Sequence, residues 1–197
     1  MDSRKKLVRA YVHKRLAQWQ SQTNEHLLRA DLANLRRGLG KKPGDLPELW
    51  GLLFQELPEE LMSRTGEPTW AEWAVSGALT LYALHRQGVG RCMHADGQRL
   101  GAAVGRLAGG DEERLKVVQR RFNAFATARS MPECMNHLRG LIQLLRSKEI
   151  PLDYVDLAGD LYEFQMPGGA ARVRLRWGQD FYRTALRTEN RKDDNHE

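Results

Sequence analysis

Three groups of residues carry side chains that could bind or transform a ligand, and spacing decides each of them. Gly38-Leu39-Gly40-Lys41 has the glycines and the lysine of a phosphate-cradling loop. Such a loop needs an earlier glycine, a hydroxyl after the lysine and a preceding strand, so that backbone amides close on the phosphates. Lys42 and Pro43 follow instead, and nothing before Gly38 reads as a strand. Nucleoside-triphosphate chemistry is therefore not expected. Cys92 and His94, with Cys134 and His137, offer the nitrogen and sulfur ligands that zinc takes. Cys134 and His137 share a helical face, but a single residue separates Cys92 from His94, where two or more is the usual gap. Reduced thiols and hydrogen-bonded histidines are expected, with no metal. Asp156, Asp160 and Glu163 share one helical face. No histidine or second carboxylate group accompanies them, so a solvated acidic face is expected rather than an acid–base pair. No serine or cysteine has the signature of a nucleophile with its base. Catalytic residues, cofactors and a small-molecule substrate are not expected, and the chain reads as a non-enzyme.

The arginines are more regular. Arg172, Arg176, Arg183 and Arg187 fall on one line of a helix, while Val173, Trp177 and Phe181 run beside them toward a core. Arg139 and Arg146 are seven apart and share a face. A guanidinium fork matches two phosphate oxygens at once, so a helix with one apolar side and one arginine side suits a sugar–phosphate backbone. No base-reading motif accompanies these residues, which favours backbone contact over sequence readout.

The whole chain carries this charge in blocks. Its 197 residues hold 31 Lys/Arg against 25 Asp/Glu, a net +6. Residues 1–42 have eleven basic residues against three acids, 43–73 have one against seven, and 114–148 have eight against one. Residues 149–171 carry five acids and no base, and 172–187 return to five bases against one acid. Separate basic blocks raise the local concentration of polyanions and release their counterions. Two cysteines make no disulfide framework. No apolar run approaches the roughly 20 residues of a membrane span, and the N-terminus lacks a secretory pattern. A cytoplasmic protein without membrane contact is expected.

Leu, Ala, Arg, Glu and Gln dominate, and alternating β-branched segments are absent, which predicts an all-α fold. The pattern gives a compact helical bundle of about eight to nine helices. It reads as one domain over residues 1–187, with halves at about 1–110 and 111–187 and a flexible tail at 188–197. Helices are predicted over 4–20 and 25–37, the second with Leu27, Leu28, Leu32 and Leu35 inward. The glycine- and lysine-rich loop 38–44, carrying Lys41 and Lys42, should be exposed. A short helix carries Leu49, Trp50 and Leu53, and Pro58 opens another turn. Thr69 and Glu72 form a capping box for a helix to Arg86 that is apolar nearly all round and so belongs at the centre. Further helices are expected at 98–108, 112–128, after a second capping box at Ser130 and Glu133, at 153–165, and after Gly169. Trp70, Trp73 and Trp177 should be core, and Trp50 has the best claim to a surface role.

Several short stretches resemble one family when taken in order. They are Phe122-Asn123-Ala124-Phe125 to Ser130, His137-Leu138-Arg139-Gly140-Leu141-Ile142, Ile150-Pro151-Leu152-Asp153-Tyr154, and Trp177-Gly178-Gln179-Asp180-Phe181-Tyr182. Leu35-Arg36-Arg37-Gly38-Leu39-Gly40 and Pro47-Glu48-Leu49-Trp50 extend the likeness to the N-terminal half. Together, over about residues 10–185, they resemble the CasB family, the small subunit of the type I-E CRISPR surveillance complex Cascade. The resemblance implies an all-helical, non-catalytic subunit that pairs with a second copy and assembles with other Cascade subunits in antiviral defence. It also implies contact with guide RNA and target DNA, including the displaced single strand. Carried over position by position, the contact residues are Arg36, Arg37, Arg129, Arg139, Arg172, Arg174 and Arg176. Some relatives have more arginine just before Arg129, where this chain has Ala126. Helix faces and the basic loop add Lys41, Lys42, Arg121, Arg146 and Arg183. The alternative is a scaffold whose basic faces dock acidic protein partners.

Overall fold

The structure is a computed structural model that describes residues 2–109 and 111–193, with side chains left out at 112, 126 and 186–193. Among them are nine α-helices: α1 (Ser3–Gln20), α2 (Glu25–Arg37), α3 (Trp50–Phe54), α4 (Trp70–His85), α5 (Leu100–Ala108), α6 (Glu112–Ala126), α7 (Met131–Ser147), α8 (Tyr154–Phe164) and α9 (Gly169–Asp193). Single 3-10 turns at Pro47–Leu49 and Glu59–Leu61 flank α3. No helix in the described residues is long and apolar enough to cross a membrane. The all-helical architecture expected from composition is the one observed. The side chain of Arg187, those of the expected tail at 188–193 and the whole of 194–197 lie outside the described residues, although the α9 backbone continues to Asp193.

The helix starts follow their capping residues. Thr69 Oγ1 accepts the Glu72 N–H at 3.1 Å, and the Glu72 carboxylate accepts the Thr69 N–H at 2.7 Å, completing the first box. The second is incomplete. Ser130 Oγ accepts the Glu133 N–H at 3.3 Å, but the Glu133 carboxylate reaches one residue further back, to the Arg129 N–H at 2.7 Å.

Helix α4 runs through the centre, buried almost all round as its pattern predicts. It packs against α1, α2, α7 and α8. The C-terminal helix α8 also lies against α1, and α9 lies along α5, so N- and C-terminal elements interleave. The α5–α9 contact is close because two glycines one turn apart face the α9 backbone. A Cβ on Gly101 would stand 2.1 Å from the Trp177 carbonyl oxygen, and one on Gly105 2.8 Å from that of Phe181. Behind this seam Phe122 stacks on Phe181 with centroids 4.9 Å apart, and Phe125 lies 4.8 Å from Trp177. Each such ring contributes about 1.5–3 kcal/mol on burial.

Three expectations are corrected. Leu27 is 48 % exposed, because the inner line of α2 is Leu28, Leu32 and Leu35, at four- and three-residue steps, and Leu27 lies a quarter-turn off it. Trp70 is 44 % exposed, since it is the first residue of α4 and lies with its ring edge-on to Tyr162 rather than inside the bundle. Asp156, Asp160 and Glu163 are not a solvated face. Helix α8 is enclosed by α1, α4 and α9, which leaves Asp156 and Asp160 buried.

Candidate nucleic-acid interface

The basic residues singled out by sequence divide into two groups once their partners are known. The first group is held by carboxylates. Arg176 donates to Asp160 at 2.6 Å and to both Glu163 oxygens at 2.9 and 3.2 Å. Glu163 also accepts from Lys5 at 2.6 Å and from Arg172 at 3.0 Å. Asp156 pairs with Arg9 at 2.6 Å and Arg99 at 3.4 Å, while Asp180 lies 3.6 Å from Arg99 and 3.5 Å from Arg183. Six cations thus meet four carboxylates across α1, α8, α9 and the start of α5. Burial alone would raise the Glu163 carboxyl, but hydrogen bonds from Arg176, Lys5 and Arg172 outweigh it and hold the group at about 2. Burial and the neighbouring Asp156 charge raise Asp160, against the pull of Arg176. Its other oxygen accepts the Trp177 indole N–H at 2.6 Å, which ties the cluster to the core.

The arginine line on α9 is therefore present, but its charge is largely spent on the fold. Arg176 is committed, whereas Arg172 and Arg183 keep more than half of their side-chain surface in solvent. Arg174 is half-buried, donates to the Ala128 carbonyl and lies 5.5 Å over the Phe164 ring, where it caps the end of α6. Arg37 pairs with Glu48, and Lys42 with Glu67, each at 2.8 Å. These acids come from the stretch 43–73, so the acidic block neutralises part of the first basic one. Lys41 is exposed.

The second group has no carboxylate partner among the described residues. Arg36 is half-buried at the end of α2, its Nη1 3.4 Å from the Ala83 carbonyl oxygen in the last turn of α4. Arg146, in the last turn of α7, donates to Gln87 Oε1 at 2.7 Å. Burial lowers the Arg36 pKa, and the nearby positive charge of Arg146 lowers it further. Two residues 110 positions apart are thus brought together. Arg86, the C-cap of α4, stands beside them, and its Nε is buried with no hydrogen-bond partner. Sequence reading missed Arg86 because it sits at a helix end, off any arginine line. Arg139 lies two turns before Arg146 on the same line of α7 and is exposed, and Arg121 and Arg129 are exposed on α6 and on the adjoining turn.

One competing effect bears on this corner. The C-terminal ends of α2, α4 and α7 meet there, and each contributes roughly half a negative charge. Three ends offset about half of the charge on Arg36, Arg86 and Arg146, and the remainder is positive.

The possible metal ligands resolve differently. Cys134 is fully buried and its thiol is pushed up to about 12 by burial, whereas Cys92 is exposed on the loop after α4. The structure instead gathers His94, Asp96 and Asp153, whose ligand atoms lie within 4.8 Å of one another. Both Asp153 oxygens are already occupied, one by the Asp156 N–H and the other by the Gly97 N–H, each at 2.8 Å. His94 Nδ1 lies 3.2 Å from the Tyr154 N–H. The group clasps the loop before α5 to the start of α8.

Comparison with known proteins agrees with this fold. The family model described as CRISPR-associated protein Cse2 matches residues 31–182. The crystal structure of CasB from Thermobifida fusca superposes with a TM-score of 0.74 at 36 % identity, over 89 % of this chain and 97 % of that one. The M. ruber CasB crystal structure, at 22 % identity, shares the fold with a TM-score of 0.63 over 96 % and 98 % of the two chains. No curated protein sequence matches. A family model spanning most of the chain and a similar solved structure with the same helices place it by descent as well as by shape: the chain belongs to the CasB (Cse2) family of CRISPR Cascade subunits.

Proposed function

We propose that this Cascade subunit is non-catalytic and grips nucleic-acid backbone, steadying the guide RNA–target DNA assembly and the displaced single strand. The observation that carries this reading is the convergence of Arg36, Arg86 and Arg146 at one corner without carboxylate partners among the described residues, continued along α7 by Arg139. Clustered like charges without counterions favour an anion, and guanidinium groups favour phosphate. Base pairing in such assemblies reads sequence, while protein charge holds the backbone and the displaced strand. Lys41, Arg121 and Arg129 extend the basic surface, whereas Arg172 and Arg183 are already paired with Glu163 and Asp180. Arg37, Lys42, Arg174 and Arg176 first hold the fold. A cytoplasmic setting, antiviral defence and pairing with a second copy belong to the same reading.

A scaffold role is the second reading. In it the basic faces dock acidic protein partners, and the exposed apolar side chains Trp50 (52 %) and Met62 (37 %) favour a protein partner. The two separate by experiment. Cascade is assembled with Arg36→Gln/Arg146→Gln, and both co-purification of the other subunits and retention of target DNA are measured. Intact assembly with faster DNA loss is expected. Lost assembly, or unchanged DNA retention, favours the scaffold.

A further inference from the structure

A wide cleft opens at the same corner. It spans about 1100 Å³ between the end of α1, one side of α2 and the loop after α4. Clefts that hold small ligands span roughly 300–1,000 Å³, so a nucleotide fits with room for its neighbours' phosphates. The floor is apolar. Trp19 and Tyr82 stack with an interplanar angle of 4° and are almost wholly buried, and Leu28 and Leu32 line the α2 wall.

Cations stand on the walls. Arg36 and Arg86 both line the cleft, and Arg146 reaches it through Gln87. A buried donor without a partner, such as Arg86 Nε, is uncommon in folded proteins. An acceptor from outside the chain would satisfy it. Three amides also face the opening with one half engaged. Gln20 Nε2 donates to Cys92 Sγ, Gln22 Oε1 accepts the Asn24 N–H, and Gln87 Oε1 accepts from Arg146. The opposite end of each amide remains able to donate or accept. Guanidinium groups for a phosphate, an apolar floor for a ring and amides for its edge are what a nucleotide requires.

We propose that this cleft receives one unpaired nucleotide of a strand running over Arg146 and Arg36, with its phosphate on Arg36 and Arg86 and its base against the apolar lining that Leu28 and Leu32 provide. The proposal rests on the nucleic-acid reading above and adds to it a preference for unstacked single strand. A base held in a duplex cannot enter the cleft without being extruded. A bound base also contributes affinity that a bare phosphate backbone lacks.

Cys92 lines the cleft and is exposed, whereas Cys134 is buried, so the native chain carries its own reporter. The rate of Cys92 alkylation by iodoacetamide is followed by mass in the full chain with oligothymidylate, with an abasic oligomer of equal length, or with a hairpin duplex. Binding of each is read separately by anisotropy at low salt. Oligothymidylate is expected to slow alkylation several-fold and to bind about tenfold tighter than the abasic strand. The abasic strand and the duplex should bind yet leave Cys92 reactive. Arg86→Gln should abolish the protection by bound oligothymidylate, weakening all three nucleic acids only by the loss of one phosphate contact, while the thermal melt confirms that the variant is folded. Equal protection by the abasic strand, or none by a bound oligothymidylate, overturns the cleft and leaves the basic track standing. If none of the three nucleic acids binds, the track and the cleft fall together.

Discussion

Replacing Arg36 and Arg146 by glutamine removes two guanidinium groups that lack carboxylate partners among the described residues, and the effect is best read in salt rather than in affinity. Arg36, Arg86, Arg139 and Arg146 supply four candidate phosphate contacts. On single-stranded nucleic acid each contributes about −0.7 to the slope of log K against log salt, so four give about −2.8. Between about 50 and 200 mM salt that slope costs about fiftyfold in affinity. The double variant should show a slope near −1.4 and lose only about sevenfold over the same range. The helix ends at this corner weaken the local potential, but they release no counterions, so they lower affinity without changing the slope. The assay is anisotropy of a labelled oligothymidylate titrated with wild type, Arg36→Gln/Arg146→Gln and Arg172→Gln. Arg172 is the matched control, since it removes a positive charge that Glu163 already pairs at 3.0 Å. Arg36→Lys/Arg146→Lys should keep the wild-type slope, because the charge count is unchanged, while the loss of two-point geometry lowers affinity. An unchanged slope in the double glutamine variant refutes the assignment. So does an equal fall in slope per charge removed for Arg172→Gln, which would mean that total charge, and not its placement, governs binding.

Three further predictions concern the fold that holds this surface. Gly101→Ala places a methyl group 2.1 Å from the Trp177 carbonyl oxygen. Overpacking of that kind costs about 1–3 kcal/mol or more, and in calorimetry should lower Tm by about 5 °C or more for a chain of this size; an unchanged Tm would show that α5 and α9 separate freely. The Glu163 carboxyl lies at about 2 against an ordinary 4.5. Its contribution, about 3 kcal/mol, is therefore present above pH 4.5 and lost as pH falls toward 2. Glu163→Gln should lower stability at neutral pH and flatten that acid limb, and parallel denaturation curves across pH would contradict the ion-pair account. Buried His85 shares a 2.9 Å hydrogen bond with the Tyr154 hydroxyl, and burial lowers its pKa from 6.5 to about 4. The unfolded chain thus takes up a proton first, and stability should decline as pH falls from 6.5 to 4. His85→Gln should remove this decline in urea midpoints measured over the same range.

Much of the architecture was legible in the residues. The helix starts at Thr69, Ser130 and Asp153 follow from side chains that accept backbone N–H groups three residues on. The burial of α4 follows from its apolar circumference, and the likeness to CasB from ordered short stretches such as Trp177-Gly178-Gln179-Asp180-Phe181. These are local properties, or strings, and both survive without coordinates. The site was legible only in part, because a charge count along the chain does not show which charges meet. Arg172 and Arg176 look like the strongest phosphate ligands by spacing, yet Asp160 and Glu163 from another helix take them up.

Sequence alone therefore settled the helices, the central one among them, and how much positive charge the molecule carries and in which blocks. Tertiary structure decided which of those charges remain available. Helix period depends on neighbours three and four residues away, whereas neutralisation depends on contacts between stretches as distant as Lys5 and Glu163. The same long-range packing set Arg36 beside Arg146 and opened the cleft next to them, and no local pattern encodes either.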